Sequence, residues 1–375
     1  MKHRLIPFLL LLMALVPAAG IACTSAIFSG KVTRSGHPMI WKNRDTDARA
    51  NFVARVEGDG ARTLSYLGLF NEGDSLLQDA WMGMNDAGFA VMNTASYNLA
   101  PDTAALKDME GRVMAMALST CRSLDDFERL LNTLPRPMGV QANFGAIDNQ
   151  GNGAYYETND EGFVKFDLAD APDGYITRTN YSETGWADGG YGYIRRDNAE
   201  HFIRPAVDRR DVTPALLTDT VSRSFYHSLI GRDMLQTDDP YIIDQDFVPR
   251  SMTTATIVIE GTDPGDYPEF QVMWTALGYP VTAITRAVML RHVPEEVQPG
   301  ETWQAPDSER SLELKKQIFD IERGSGPRYI NVKAARTLGE ETEALSAESI
   351  KAGQTLLESE QRWYRGKQKP PRRSK

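Results

Sequence analysis

The chain is 375 residues long, 41% hydrophobic and 25% charged, with a formal net charge of −10. That composition suits a globular protein of one large or two modest domains, and its acidity argues against nucleic-acid binding. With Cys23 and Cys121 as the only cysteines, a disulfide scaffold is excluded.

Residues 1–22 read as a cleavable export signal. Lys2, His3 and Arg4 give a basic start, and an apolar run follows that is too short to span a bilayer. Small residues then end at Ala22, where a signal peptidase cuts. Cleavage there makes Cys23 the first residue. An N-terminal cysteine joins a nucleophile to its own base, because an α-amine with a pKa of about 7.7–8.0 takes the thiol proton at neutral pH. Two readings stand beside that one. Cys23 is also readable as a small buried hydrophobe on the first strand, or as the lipid-attachment site of a bacterial lipoprotein. Gly20 weakens the latter, since lipoprotein signals carry Leu three residues before the Cys. A Cys23–Cys121 bridge would consume the nucleophile.

The mature chain begins as sheet. Short β-forming runs at 24–29, 39–42, 52–56, 63–67, 80–84 and 89–93 are separated by turn residues. Asn85-Asp86-Ala87-Gly88 signals a tight hairpin between the last two. Helical spacing of Val113, Met114, Ala117 and Cys121 predicts a helix over 110–121. Ser123 caps a second helix that Pro135 and Pro137 end. Strands return at 142–147, 154–158, 163–166 and 175–179, and Thr213-Pro214 opens a helix running to Val221. A late strand pair is expected at 253–260 and 269–274, then charged helices at 307–322 and 335–363, packed against the outside of the core. This order predicts an α+β fold.

Candidate chemistry is sparse. Asp148-Asn149-Gln150-Gly151 resembles the start of a calcium loop, but Asn159 stands where the bidentate Glu belongs, so a hairpin turn is expected. The five histidines fall in no metal-ligand spacing, and no phosphate loop stands out. His37 or His227 would be the base of a Cys-His hydrolase, without local support. In Trp41-Lys42-Asn43-Arg44-Asp45, alternation sends Lys42 and Arg44 to one face of a strand and Asn43 and Asp45 to the other. A carboxylate beside an N-terminal Cys would hold its ammonium, and a nearby cation would favour the thiolate. A solvated charge cluster is the alternative.

Taken in order, these segments resemble the Cys-type N-terminal-nucleophile hydrolases: choloylglycine hydrolases, penicillin V acylases and isopenicillin-N-type acyltransferases. Cys23-Thr24 resembles the start of the mature enzymes. Lys42-Asn43-Arg44-Asp45 resembles their Arg-Asn-x-Asp segment, with Lys42 keeping the charge but losing the planar fork. The run from Asn85 to Asn93 resembles the strand pair ending in an oxyanion-hole Asn, and Thr179-Asn180 resembles the segment that adds a side-chain amide. Arg195 or Arg196 resembles a later active-site arginine, with the register open by one. The likeness covers roughly 23–274.

The resemblance implies a four-layer αββα sandwich, placed over 23–305; it leaves unexplained the helical C-terminal extension at 306–366, and the basic end at 367–375 reads as a disordered tail. It also implies that Cys23 attacks a linear amide through a thioester. Asp45 would orient the amine, Asn93 and Asn180 would form the oxyanion hole, and Lys42 and Arg195 would complete the site. No metal or organic cofactor is required, and the partner is a small acyl-amide substrate. Neither nucleic-acid binding nor stable membrane insertion is expected, and homo-oligomer formation is left open. The exported protein would be periplasmic or secreted. Asn180-Tyr181-Ser182 fits a glycosylation pattern, and a glycan there would block the donor. The competing function is a lipid-anchored extracytoplasmic binding protein tethered through Cys23.

Overall fold

The computed structural model describes residues 23–324, 326 and 328–367. The expected export signal and, beyond Lys367, the expected tail lie outside the described residues. In chain order the elements are β1 (Thr24–Phe28), β2 (Met39–Asp45), β3 (Asn51–Val56), β4 (Tyr66–Asn71), β5 (Met82–Asn85), β6 (Ala90–Ala95), α1 (Glu110–Thr120) and α2 (Leu124–Thr133). There follow β7 (Ala142–Ile147), β8 (Gly153–Thr158), β9 (Phe163–Asp167), β10 (Tyr175–Arg178), α3 (Tyr193–Asp208), β11 (Tyr226–His227), β12 (Arg232–Asp233) and β13 (Tyr241–Ile243). The chain closes with β14 (Thr253–Glu260), β15 (Val272–Leu277), β16 (Thr285–Val288), α4 (Pro306–Ile318), β17 (Tyr329–Asn331) and α5 (Val332–Lys367).

Two antiparallel sheets carry the fold. The first has the order β10-β1-β2-β14-β15-β16, and the second is the meander β3-β4-β5-β6-β7-β8-β9. Period-2 alternation gives each strand of the first sheet two different apolar faces. Ala26, Phe28, Met39, Trp41 and Trp274 pack with Ala199 and Ile203 of α3 and Ile350 of α5. Ile27, Ile40, Ile257 and Met273 face the other way and join Met92, Phe144 and Tyr155 of the second sheet. Val113 and Leu118 of α1, with Phe127 and Leu131 of α2, complete that core. The layers are therefore helix, sheet, sheet, helix. Each fully buried Ile, Leu or Phe in them contributes roughly 1.5–3 kcal/mol relative to exposure.

The C-terminal helices belong to this packing. α5 lies on β16 so closely that a Cβ added at Gly353 would meet the Ala287 Cβ at 2.3 Å. None of the described helices is long and apolar enough to cross a membrane.

Several elements depart from expectation. The strand expected at 39–42 runs on to Asp45, because its pairing with β14 continues that far. The strands expected at 63–67 and 269–274 form later, at Tyr66–Asn71 and Val272–Leu277; in the second case a 3-10 turn at Pro268–Phe270 occupies the start. The Thr213 hydroxyl accepts from the Leu216 amide at 3.1 Å, as a cap should, but the turn it opens is a π-helix, Leu216–Val221. α3 and β16 carry no clear local signal in the sequence. Asp148 makes a hairpin turn, its Oδ1 accepting the Gln150 and Asn152 amides at 3.0 and 3.2 Å.

Candidate active site

Cys23 lies one residue before β1, whose Thr24 pairs with Asn43 on β2. That register brings the thiol to the end of β2, with Sγ 3.8 Å from the Asp45 carbonyl oxygen and only 4% of the residue exposed. Alternation along β2 is as the sequence predicts. Lys42 follows Ile40 onto the face toward the second sheet, while Asn43 turns back toward the helices and donates to the Val248 carbonyl at 3.2 Å.

On the second-sheet side, Lys42 Nζ donates to Asn93 Oδ1 at 2.8 Å and to the Trp81 carbonyl at 3.0 Å. Arg44 donates to Asn51 Oδ1 at 2.6 Å and lays its guanidinium 4.9 Å from the Trp81 ring. Burial pushes the Lys42 ammonium down to about 8 and the Arg44 guanidinium down to about 10, opposed in both by Cys23. Asn93 sits on β6, so this contact ties the β1–β2 pair beside Cys23 to the other sheet.

On the helical side, Asp45 is 1% exposed. Its Oδ1 accepts from the Thr253 hydroxyl at 2.6 Å. Oδ2 lies 3.5 Å from Arg250 Nη1 but is sealed from solvent with no hydrogen-bond partner among the described residues. Burial raises the Asp45 carboxyl above its ordinary value, and Arg250 and Arg195 oppose that rise. A break in the β2–β14 register between Thr253 and Ala255 falls opposite Asp45, the kind of bulge that re-aims a side chain at a strand end.

Arg195, and not Arg196, is the arginine at the cysteine. Its Nη1 donates to the Cys23 carbonyl and to Thr24 Oγ1, each at 2.8 Å, and its Nη2 donates to Asn180 Oδ1 at 2.8 Å. Arg196, one helical position on, turns outward to the Tyr181 hydroxyl and Glu183. α3 brings Arg195 in after Gly192, which has φ 95° and no room for a side chain: a Cβ there would meet Arg195 Nη2 at 2.5 Å. Asn180, two residues past β10, donates from Nδ2 to the Ala95 carbonyl at 2.9 Å. The six residues singled out from sequence thus meet around the junction of β1, β2 and β6.

The alternatives fall elsewhere. His37 stands before β2 and pairs with Asp266 at 3.3 Å. It is seven residues from Arg44, or roughly 23 Å along a strand. His227 lies on the β11–β12 ribbon, edge-on to Phe247. Cys121 is buried at the end of α1, and burial pushes its thiol up to about 12. Both cysteines are free thiols. A cleft of about 820 Å³ between α5 and the β16 edge contains none of these residues. No cluster of His, Cys, Asp or Glu suited to a metal occurs among the described residues.

No protein-family model matches the sequence, and no curated protein does. Among solved structures the chain is similar to a Caenorhabditis elegans N-acylethanolamine-hydrolyzing acid amidase ortholog, at 14% identity over 66% of this chain and 97% of that one, TM-score 0.44. It is similar to a variant of the conjugated bile acid hydrolase from Clostridium perfringens, at 10% identity over 76% and 98%, TM-score 0.45. A third is penicillin V acylase from Agrobacterium tumefaciens, at 13% identity over 72% and 87%, TM-score 0.42. At these TM-scores the superposition is partial. The layered architecture rests on this chain's own strand order and core.

Sequence reasoning missed Arg44 as a contact of Trp81, and missed Thr253 and Arg250 as the partners of Asp45. Only the β2–β14 pairing brings the latter two near, across more than 200 positions of chain. No local signal marks them.

Proposed function

We propose that this chain is an exported hydrolase or acyltransferase that uses Cys23, freed as the N-terminal residue, to cleave linear amide C–N bonds. The observation that carries this reading is the sealed Asp45 Oδ2. It is an acceptor with no hydrogen-bond donor among the described residues, with only Arg250 Nη1 at ion-pair distance, 3.5 Å, on a carboxylate whose own backbone carbonyl lies 3.8 Å from the Cys23 sulfur. A buried acceptor left unmade costs about 1–3 kcal/mol. Removal of residues 1–22 creates an ammonium on Cys23, a donor of the right charge for that oxygen.

The mechanism follows from the residues. The Cys23 amine takes the thiol proton, and the sulfur bonds to the substrate carbonyl carbon. The negative charge on the carbonyl oxygen would be met by the Asn180 side-chain amide and the Asn93 backbone, each donor contributing a few kcal/mol in comparable sites. Collapse breaks the C–N bond, and the proton held on the α-amine passes to the departing amine. The thioester on Cys23 is then resolved by water or by a second amine. Arg195 holds the Cys23 carbonyl and Asn180 in register, and Lys42 holds Asn93.

The tether reading fits less well. It gives no role to the buried Asp45, Asn180 and Arg195 gathered around Cys23. To test the proposal, the chain beginning at Cys23 is screened against N-acyl amino acids, peptides, β-lactams and conjugated bile acids. Turnover should appear in the parent and drop to background in Cys23→Ser with its melting temperature kept. Equal turnover in the two contradicts the assignment, as does a lipidated Cys23 in protein recovered after export.

A further inference from the structure

A second tier of contacts stands behind Asp45, and part of it comes from the C-terminal helices. The loop 244–252 leads from β13 into β14 and ends at the two residues that hold Asp45. The Arg250 amide donates to Thr253 Oγ1 at 2.9 Å, and that hydroxyl donates to Asp45 Oδ1 at 2.6 Å. Between Arg250 and Thr253, the backbone of Ser251 is gripped on both sides. Its N–H donates to Asp244 Oδ2 at 2.9 Å, and its carbonyl accepts from Lys315 Nζ. Lys315 comes from α4, with its ammonium 5.5 Å from the Tyr279 ring centre and 5.9 Å from that of Phe319. Asp244 Oδ1 and the Tyr279 hydroxyl are, like Asp45 Oδ2, sealed from solvent without a hydrogen-bond partner among the described residues.

We propose that Lys315, acting with Asp244 through the Ser251 peptide, is a positioning residue that fixes Arg250 and Thr253 on Asp45 and so keeps that carboxylate ionised beside Cys23. The inference rests on the hydrolase reading above. Withdrawing an ammonium from water is costly unless it is paired. Burial pushes Lys315 down to about 8, opposed by Asp244 and Asp45. The charged groups that bear on Asp45 are Arg250, Arg195, Lys42, Arg44 and Lys315 itself, which favour its anion, and Asp244, which disfavours it. If the loop slackens, Arg250 withdraws first, and Asp244 and burial then drive Asp45 toward the neutral acid at a higher pH.

The test uses the chain beginning at Cys23 and p-nitrophenyl acetate, an ester that acylates a reactive thiol whatever the natural amide is. Acylation forms the S–C bond and releases p-nitrophenolate, read as a burst. Lys315→Met should slow the burst about ten- to a hundredfold through mispositioning. The ester concentration giving half-maximal rate should stay the same, and the acidic limb of the pH profile should move to higher pH. Lys315→Arg, which keeps the charge and a donor, should restore both. Arg250→Gln should reproduce the limb shift and serves where Lys315→Met does not fold. An unmoved acidic limb in Lys315→Met or Arg250→Gln overturns the proposal. A burst that persists in Cys23→Ala instead overturns the hydrolase reading on which it stands.

Discussion

At the scale of single residues, Glu110 is a useful probe of the polar interior. It opens α1, is 8% exposed, and its Oε1 accepts the Gln141 amide at 2.9 Å. Burial raises its carboxyl to about 7, opposed by that amide. A carboxyl raised on folding binds more protons in the native chain between its unfolded value near 4.5 and 7. Its contribution is therefore fully present at acid pH and is lost as pH rises through 7. Glu110→Gln keeps the acceptor and cannot ionise. Its stability relative to the parent should improve between pH 5 and pH 8 by on the order of 1–3 kcal/mol, read from urea unfolding. A difference that does not change with pH contradicts this. The residue pattern of β2 shows what a sequence does convey. Lys42 and Asp45 fall on opposite faces because period-2 alternation is local. Their partners Asn93 and Thr253 are set by sheet pairing and sheet stacking, which no local pattern encodes.

At the scale of elements, legibility follows the apolar stripe. α2 announces itself through Leu124, Phe127 and Leu131 behind the Ser123 cap, whose side chain accepts the Asp126 amide at 3.3 Å. α3 does not, because Arg195 and Asn198 take buried positions on its inner face and Pro205 sits inside it. The residues that break the helical period include the one that reaches Cys23, so the buried polar contacts are what hide the helix. β16 is only Thr285–Val288, with an arginine in the middle, too short to show alternation. α5 was legible as a helix packed against the outside of the core, and the structure makes it a wall of the first sheet. That role predicts that Gly353→Ala destabilises the fold even though Ala is the better helix former by about 1 kcal/mol. With Cβ atoms 2.3 Å apart the helix must lift from Ala287, an overpacking cost of about 1–3 kcal/mol. The urea midpoint should fall, and a rise would contradict the close packing of α5 on β16.

At the scale of the molecule, the site lies across the two sheets. Cys23 precedes one strand of the first sheet and Asp45 ends another, Asn93 belongs to the second, and Arg195 arrives from the outer helical layer. Such a site forms only when both sheets are stacked, so activity should track global folding. Loss of the acylation burst in urea should coincide with loss of the near-ultraviolet signal of the buried Trp41 and Trp274. A burst that disappears in lower urea, ahead of that signal, contradicts a site assembled by the whole sandwich.

The central claim is that the first residue's own nitrogen activates its sulfur. The most direct measurement compares acylation by p-nitrophenyl acetate of the chain beginning at Cys23 with that of the same chain carrying one extra alanine before it. A burst is expected from the first and none from the second, since an amide nitrogen has no basicity to offer. Equal bursts from both would place the proton acceptor elsewhere and contradict the account.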